Sequence, residues 1–219
     1  HGLTADQITL TENGVQRPLD GFDELSPGVQ LVLAINMAPP FAIQDISGQS
    51  RWGYVSNYLS DWIADNTDME SDDLSVISND GLERTHLRDQ ENLLRLLDSY
   101  QPQPRETSPN LNVLAKAIDL ALDPLAEEGM KRVVLFFTPP PTAEEIAALQ
   151  NLTSRAQEGN VRIFSWLISA QEAFSSPGAD QLKTMAEETK GRFFAFSGSE
   201  TFPDLRSQFN AMRGSYLLS

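Results

Sequence analysis

Val29-Gln-Leu-Val-Leu-Ala-Ile-Asn-Met-Ala-Pro-Pro40 is the stretch from which the fold is read. Its first seven residues are apolar almost throughout rather than alternating, the pattern of a strand covered on both faces, as in a parallel sheet. Similar apolar runs recur at Leu74–Ser78, Arg132–Phe137, Val161–Ile168 and Arg192–Phe196. Between them lie amphipathic segments. Arg51–Ala64 carries Trp52, Val55, Tyr58, Leu59, Trp62 and Ile63 at spacings of three and four, which predicts a helix. Further helices are expected over Asn92–Tyr100, Asn110–Leu125, Asp180–Glu188 and Phe202–Met212, with another opened by the capping-box pattern Thr142-Ala-Glu-Glu145. Gly191 after Lys190 reads as a C-terminal cap. Strands alternating with such helices imply an α/β fold, doubly wound, with a mostly parallel central sheet and helices on both faces. One domain is expected over residues 25–213. Residues 1–24 read as an N-terminal extension, either an appended hairpin turning at Asn13-Gly14 or the tail of a preceding module, and 214–219 as the start of a following segment. The prolines of Gln101–Pro109 mark a stiffened loop inside the domain.

The 219 residues include 31 acids, 16 bases and no cysteine, a net charge of −15. That charge argues against nucleic acid, whose phosphates need clustered Lys and Arg, and against an anionic membrane surface. No apolar run reaches the roughly 18 residues of a spanning helix, so no direct membrane insertion is expected. The missing cysteines exclude disulfides, thiolate zinc sites and thiol catalysis. His1 is not an initiator methionine, so the chain reads as a fragment of a longer protein.

In an open parallel sheet, ligands bind beyond the carboxyl ends of the strands, near the point where the strand order reverses. The turn after the first core strand, Asn36-Met-Ala-Pro-Pro40, has no glycine, and its prolines have no N–H to offer a phosphate. Nucleotide binding is therefore unsupported, and no cofactor is expected. The histidines are His1 and His86; neither lies near a nucleophile in sequence, and His86 reads as a surface residue on an edge strand. The acids between Asp61 and Asp73 lack calcium-loop spacing and read as a solvated turn. The glycosylation pattern Asn151-Leu-Thr153 falls within an expected helix and is discounted.

Four segments together resemble a von Willebrand factor type A domain, also called integrin I-like. Leu31–Pro40 stands where that family has an apolar strand ending in Asp-x-Ser-x-Ser. Asp73–Asn79 is similar to its second strand. Pro109–Ala121 is similar to its Thr-Asn-Leu opening and the helix after it. Val133–Pro140 stands where the family has a strand ending in Thr-Asp-Gly. Val161–Leu167 and Leu182–Phe194 match its last third, and the flanks resemble those of bacterial multidomain proteins.

The resemblance implies an adhesion site that binds Mg²⁺ or Mn²⁺ through carboxylate and hydroxyl oxygens. Here its five ligand positions are Asn36, Ala38, Pro40, Pro109 and Pro139, four of them without a side-chain oxygen. The expectation is a degenerate site with no metal. In its place, a rim for a partner is expected from Met37, Pro39, Phe41, Ser108, Asn110, Thr138 and Pro140. The function so implied is a non-catalytic interaction or adhesion module of a larger extracellular or cell-surface protein, its partner a protein ligand or a neighbouring domain. The alternatives are a displaced Mg²⁺ or Ca²⁺ site fed by Asp45 or the acidic turn near Asp68, and a purely structural domain.

Overall fold

The computed structural model describes residues 3–65 and 67–218, with the side chains of residues 67 and 68 excluded. The central sheet has six strands: β4 (Val29–Ile35), β5 (Asp73–Ser78), β6 (Glu83–Leu87), β7 (Lys131–Thr138), β8 (Val161–Ile168) and β9 (Phe193–Phe196). Their order is β6-β5-β4-β7-β8-β9, with only the edge strand β6 antiparallel. The doubly wound, mostly parallel α/β fold expected from the sequence is the one observed. Every residue of β4 is buried, because both faces are covered. Leu31, Leu33 and Ile35 face one core, shared with α1 (Arg51–Ala64), α2 (Gln90–Ser99) and α6 (Leu205–Arg213). Val32 and Ala34 face the other, shared with α3 (Asn112–Ala121), α4 (Ile146–Glu158) and α5 (Pro177–Glu188).

Helix boundaries shift for local reasons. The helix expected over 110–125 ends at Ala121, before Asp123, which precedes Pro124; a residue before proline avoids the helical region. The Thr142 helix starts only at Ile146. Thr142 and Glu145 first close a turn, Glu145 N–H donating to the Thr142 carbonyl (3.1 Å) and Thr142 N–H to Glu145 Oε2 (2.9 Å). The Thr142 hydroxyl also donates to that carboxylate (3.1 Å) rather than capping a backbone N–H. Asn151 and Thr153 lie within α4, as expected, and the Thr153 hydroxyl donates to the Leu149 carbonyl (2.9 Å). The left-handed residue after α5 is Lys190 (φ 61°), not Gly191. Gly191 is required for another reason: a Cβ there would stand 1.9 Å from the Ile163 carbonyl oxygen.

Outside the central sheet, β1 (Leu10–Glu12) and β2 (Val15–Arg17) form the hairpin expected around Asn13 and Gly14, both with positive φ. β3 (Phe22–Leu25) pairs antiparallel with β10 (Ser215–Leu218), Phe22 opposite Leu218 and Leu25 opposite Ser215. This ribbon joins residues from either side of the 25–213 segment. Beneath it, Arg213 donates from Nε (3.0 Å) and Nη2 (2.6 Å) to the buried carboxylate of Asp72, which also accepts the backbone N–H of Val29 (2.9 Å). Gly28 precedes this point at φ 87°, where a Cβ would meet the Ser71 carbonyl oxygen at 2.4 Å. Among the described residues, no helix is long and apolar enough to cross a membrane.

Candidate functional site

The strand order reverses between β4 and β7, and the chain beyond their carboxyl ends forms the crevice where this architecture places ligands. Asn36 leaves β4 at that point and is buried. Its Nδ2 donates to Thr138 Oγ1 at the end of β7 (3.0 Å), and its Oδ1 accepts the Asn110 backbone N–H (2.8 Å). The Thr138 hydroxyl donates in turn to the Pro139 carbonyl (2.9 Å). A second amide works alongside. Asn79, just past β5, accepts the Met37 N–H (2.6 Å) and donates to the carbonyls of Met37 and Ser108 (both 3.0 Å). Two neutral amides thus fasten three strand ends and the 108–110 loop to one another. Asn79 was not singled out from the sequence; its only signal is its place directly after a strand.

The expected rim needs correction. Met37 and Phe41 are fully buried, and so is Thr138. The apolar run of β4 carries its burial on through Ala38, and Pro39–Ala42 forms a single 3₁₀ turn that tucks Phe41 against Trp52, ring centroids 6.3 Å apart. A partner cannot touch these three side chains in this conformation. Pro139 is also buried, and Pro40, Asn110 and Pro140 are half-buried. Pro39, Ser108 and Pro109 are exposed.

What the rim does display is Ile43 and Ile46, the latter fully exposed, on the loop between the 3₁₀ turn and α1. This loop is held by Asp45. Its Oδ1 accepts the N–H of Ser47 (2.8 Å), the hydroxyl of Ser47 (2.7 Å) and the N–H of Gln49 (3.2 Å), while Tyr54 donates its hydroxyl to Oδ2 (2.5 Å). These bonds, that from the Ser47 hydroxyl foremost and then that from Tyr54, hold the Asp45 carboxyl down at about 2. Gly48 supplies the positive φ that closes the turn. Arg51 fixes the neighbouring backbone, donating to the carbonyls of Ser197 (2.6 Å) and Pro40 (3.2 Å).

Among Asn36, Ala38, Pro40, Pro109 and Pro139, the side-chain oxygens reduce to the Oδ1 of Asn36, already an acceptor from the backbone. Asp45 is turned to its own loop, and the Asp68 side chain lies outside the described residues. Among the described residues, no three His, Asp or Glu side chains are grouped as a metal would need. His86 sits at the other end of the sheet edge, beside the start of β5. It is partly exposed and ion-paired, its Nδ1 2.9 Å from Asp73 Oδ2 and its Nε2 3.4 Å from Asp123 Oδ2. The hydrogen bond to Asp73 is the main reason its pKa is raised above the ordinary 6.5.

No protein-family model matches the sequence, and none of the curated proteins compared with it does. Solved structures do match. The SpRpn10 VWA domain superposes with a TM-score of 0.55 at 15% identity, over 84% of this chain and 93% of that one. BatB from Bacteroides thetaiotaomicron, a conserved hypothetical protein, gives a TM-score of 0.51 at 17% identity, over 85% of this chain and 96% of that one. The fold is that of a von Willebrand factor type A domain.

Proposed function

We propose that the chain is a non-catalytic protein-interaction module that uses the strand-end rim without a bridging metal, in an extracellular or cell-surface protein. The observation that carries this reading is Asn36 at the end of the first core strand, whose amide oxygen and nitrogen are both engaged in protein hydrogen bonds. A hard divalent cation wants several oxygens, carboxylates among them, to offset its charge. One committed amide oxygen beside prolines and an alanine does not suit it. Ile43 and Ile46 are the contacts that take its place. Burying them contributes about 1.5–3 kcal/mol each. The roughly 8 kcal/mol of a micromolar complex therefore needs Pro39, Ser108 and Pro109 as well. Because Asp45 already orders the loop, little entropy is lost on docking.

A photo-crosslinking residue placed at position 46 of the full-length protein, in its own cells, tests this. The expected result is a discrete adduct with one partner protein, equally abundant with and without chelator. Loss of the adduct on chelation refutes metal independence. An adduct absent at position 46 but present at position 208, far from the rim, refutes the assignment of the face.

A further inference from the structure

The bases of this acidic chain are unevenly partnered. Arg88, Lys116, Arg155 and Arg213 each pair with a carboxylate. Arg162, Lys190 and Arg192 form no ion pair and no side-chain hydrogen bond among the described residues. Yet these three come together at the amino ends of β8 and β9, the end of the sheet opposite the rim. Arg162 and Phe164 alternate onto the α6 face of β8, and Arg192 immediately precedes β9. Together with Lys190 they wall an open cleft of about 670 Å³. Its floor is Phe164 and Met212, both nearly buried, and its far wall is α6 at Ser207 and Gln208. One acid, Asp204, stands at the edge, with its oxygens occupied in capping α6 through the Ser207 N–H (3.0 Å) and hydroxyl. A second depression continues past Lys131 and shares Arg162 and Lys190, with Glu188 on its border.

Three cations held together in a protein of net charge −15, none paired with a carboxylate among the described residues, leave a local positive site open to an outside anion. Screening decides which kind. At physiological salt, charges farther than about 8 Å hardly act. A short acidic segment would feel the cleft alone. An extended polyanion, or an anionic bilayer, would run beyond it onto the acidic remainder. Guanidinium groups match carboxylates in bidentate geometry, and the apolar floor suits a side chain rather than a bare ion. We propose that this cleft binds a short acidic segment of a protein partner, its carboxylates on Arg162 and Arg192 and an apolar side chain against Phe164 and Met212. This surface is separate from the rim and does not depend on the rim reading.

The probe is a fluorescein-labelled pentapeptide of four glutamates around one phenylalanine, titrated by anisotropy, with its serine counterpart as control. Saturable binding is expected, weaker at higher salt, and at least about tenfold weaker in Arg162→Gln/Arg192→Gln, since each charge-assisted pair lost counts for more than a neutral one. The rim variant Ile46→Asp should bind the peptide like the parent. Amide shift changes in the parent must fall around Arg162, Arg192 and Ser207, a readout that stands even if the double variant folds poorly. Peptide affinity unchanged in a folded double variant, or shifts elsewhere, overturns the proposal. So does binding of inorganic phosphate or phosphatidylserine vesicles without binding of the peptide. A concentration-dependent dimer abolished by the double variant, with no peptide binding, would give the cleft to a second copy instead and equally overturn it.

Discussion

Replacing Asn36 by leucine removes the amide while keeping the side chain's heavy-atom count and branching, and so tests what the two hydrogen bonds contribute. The Nδ2 bond to Thr138 and the Oδ1 bond from Asn110 are lost together. Thr138 keeps its donation to the Pro139 carbonyl, so its hydroxyl hydrogen is not orphaned. Asn110 is half-buried, so its N–H regains water in part. One buried and one part-buried bond at about 1 kcal/mol each give a loss of about 2 kcal/mol. For a domain of this size, 1 kcal/mol shifts the melting temperature by about 2–4 °C, so a fall of about 4–8 °C is expected by scanning calorimetry. Asn36→Asp keeps the acceptor for Asn110 but buries a charge; its melting should respond to Mg²⁺ no more than the parent does, at constant ionic strength. An Asn36→Leu variant melting within about 1 °C of the parent would show that the strand ends are held by other means.

Asp72→Ala leaves the Arg213 guanidinium buried without its carboxylate and should lower stability by about 3–5 kcal/mol, read from the urea midpoint; a loss below about 1 kcal/mol would contradict this account of the pair. Adding Arg213→Met should recover a large part of the loss. His86 has a folded pKa above its ordinary 6.5, so its contribution is complete below that value and disappears as pH rises through the folded value. The urea midpoint should therefore fall as pH rises above about 6 in the parent and fall less in His86→Gln; identical slopes would mean that the pairing with Asp73 and Asp123 contributes nothing.

The core strands were legible in sequence because burial on both faces leaves uninterrupted apolar runs, and α1 because its apolar residues keep helical spacing from Trp52 to Ile63. The alternation of the two kinds of segment carried the doubly wound fold. The ribbon of β3 and β10 was not legible: four exposed or half-buried residues on each side carry no period that distinguishes them from loop, and their pairing spans nearly the whole chain. At the rim, position in the chain was readable but burial was not. Met37 and Phe41 follow a strand, so they read as exposed loop, yet the 3₁₀ turn set by Pro39 and Pro40 folds Phe41 back into the core. Ile43 and Ile46 carry no signal in sequence, because single apolar residues in a polar loop are common. The Asp45-Ile-Ser47-Gly48 pattern that stiffens the loop is a readable turn signal, an aspartate bonding the backbone two residues on.

The β3–β10 ribbon also bears on how the domain responds to traction. Phe22 and Leu218 are opposite each other at its outer end, so tension applied between the two ends of the chain separates the strands one pair at a time, inward to Leu25 and Ser215. Such unzipping breaks bonds singly and yields at low force. The load then arrives at Val29 on one side and Arg213 on the other, both held by the carboxylate of Asp72. A single buried side chain is thus the clasp between an extensible ribbon and the first strand of the core.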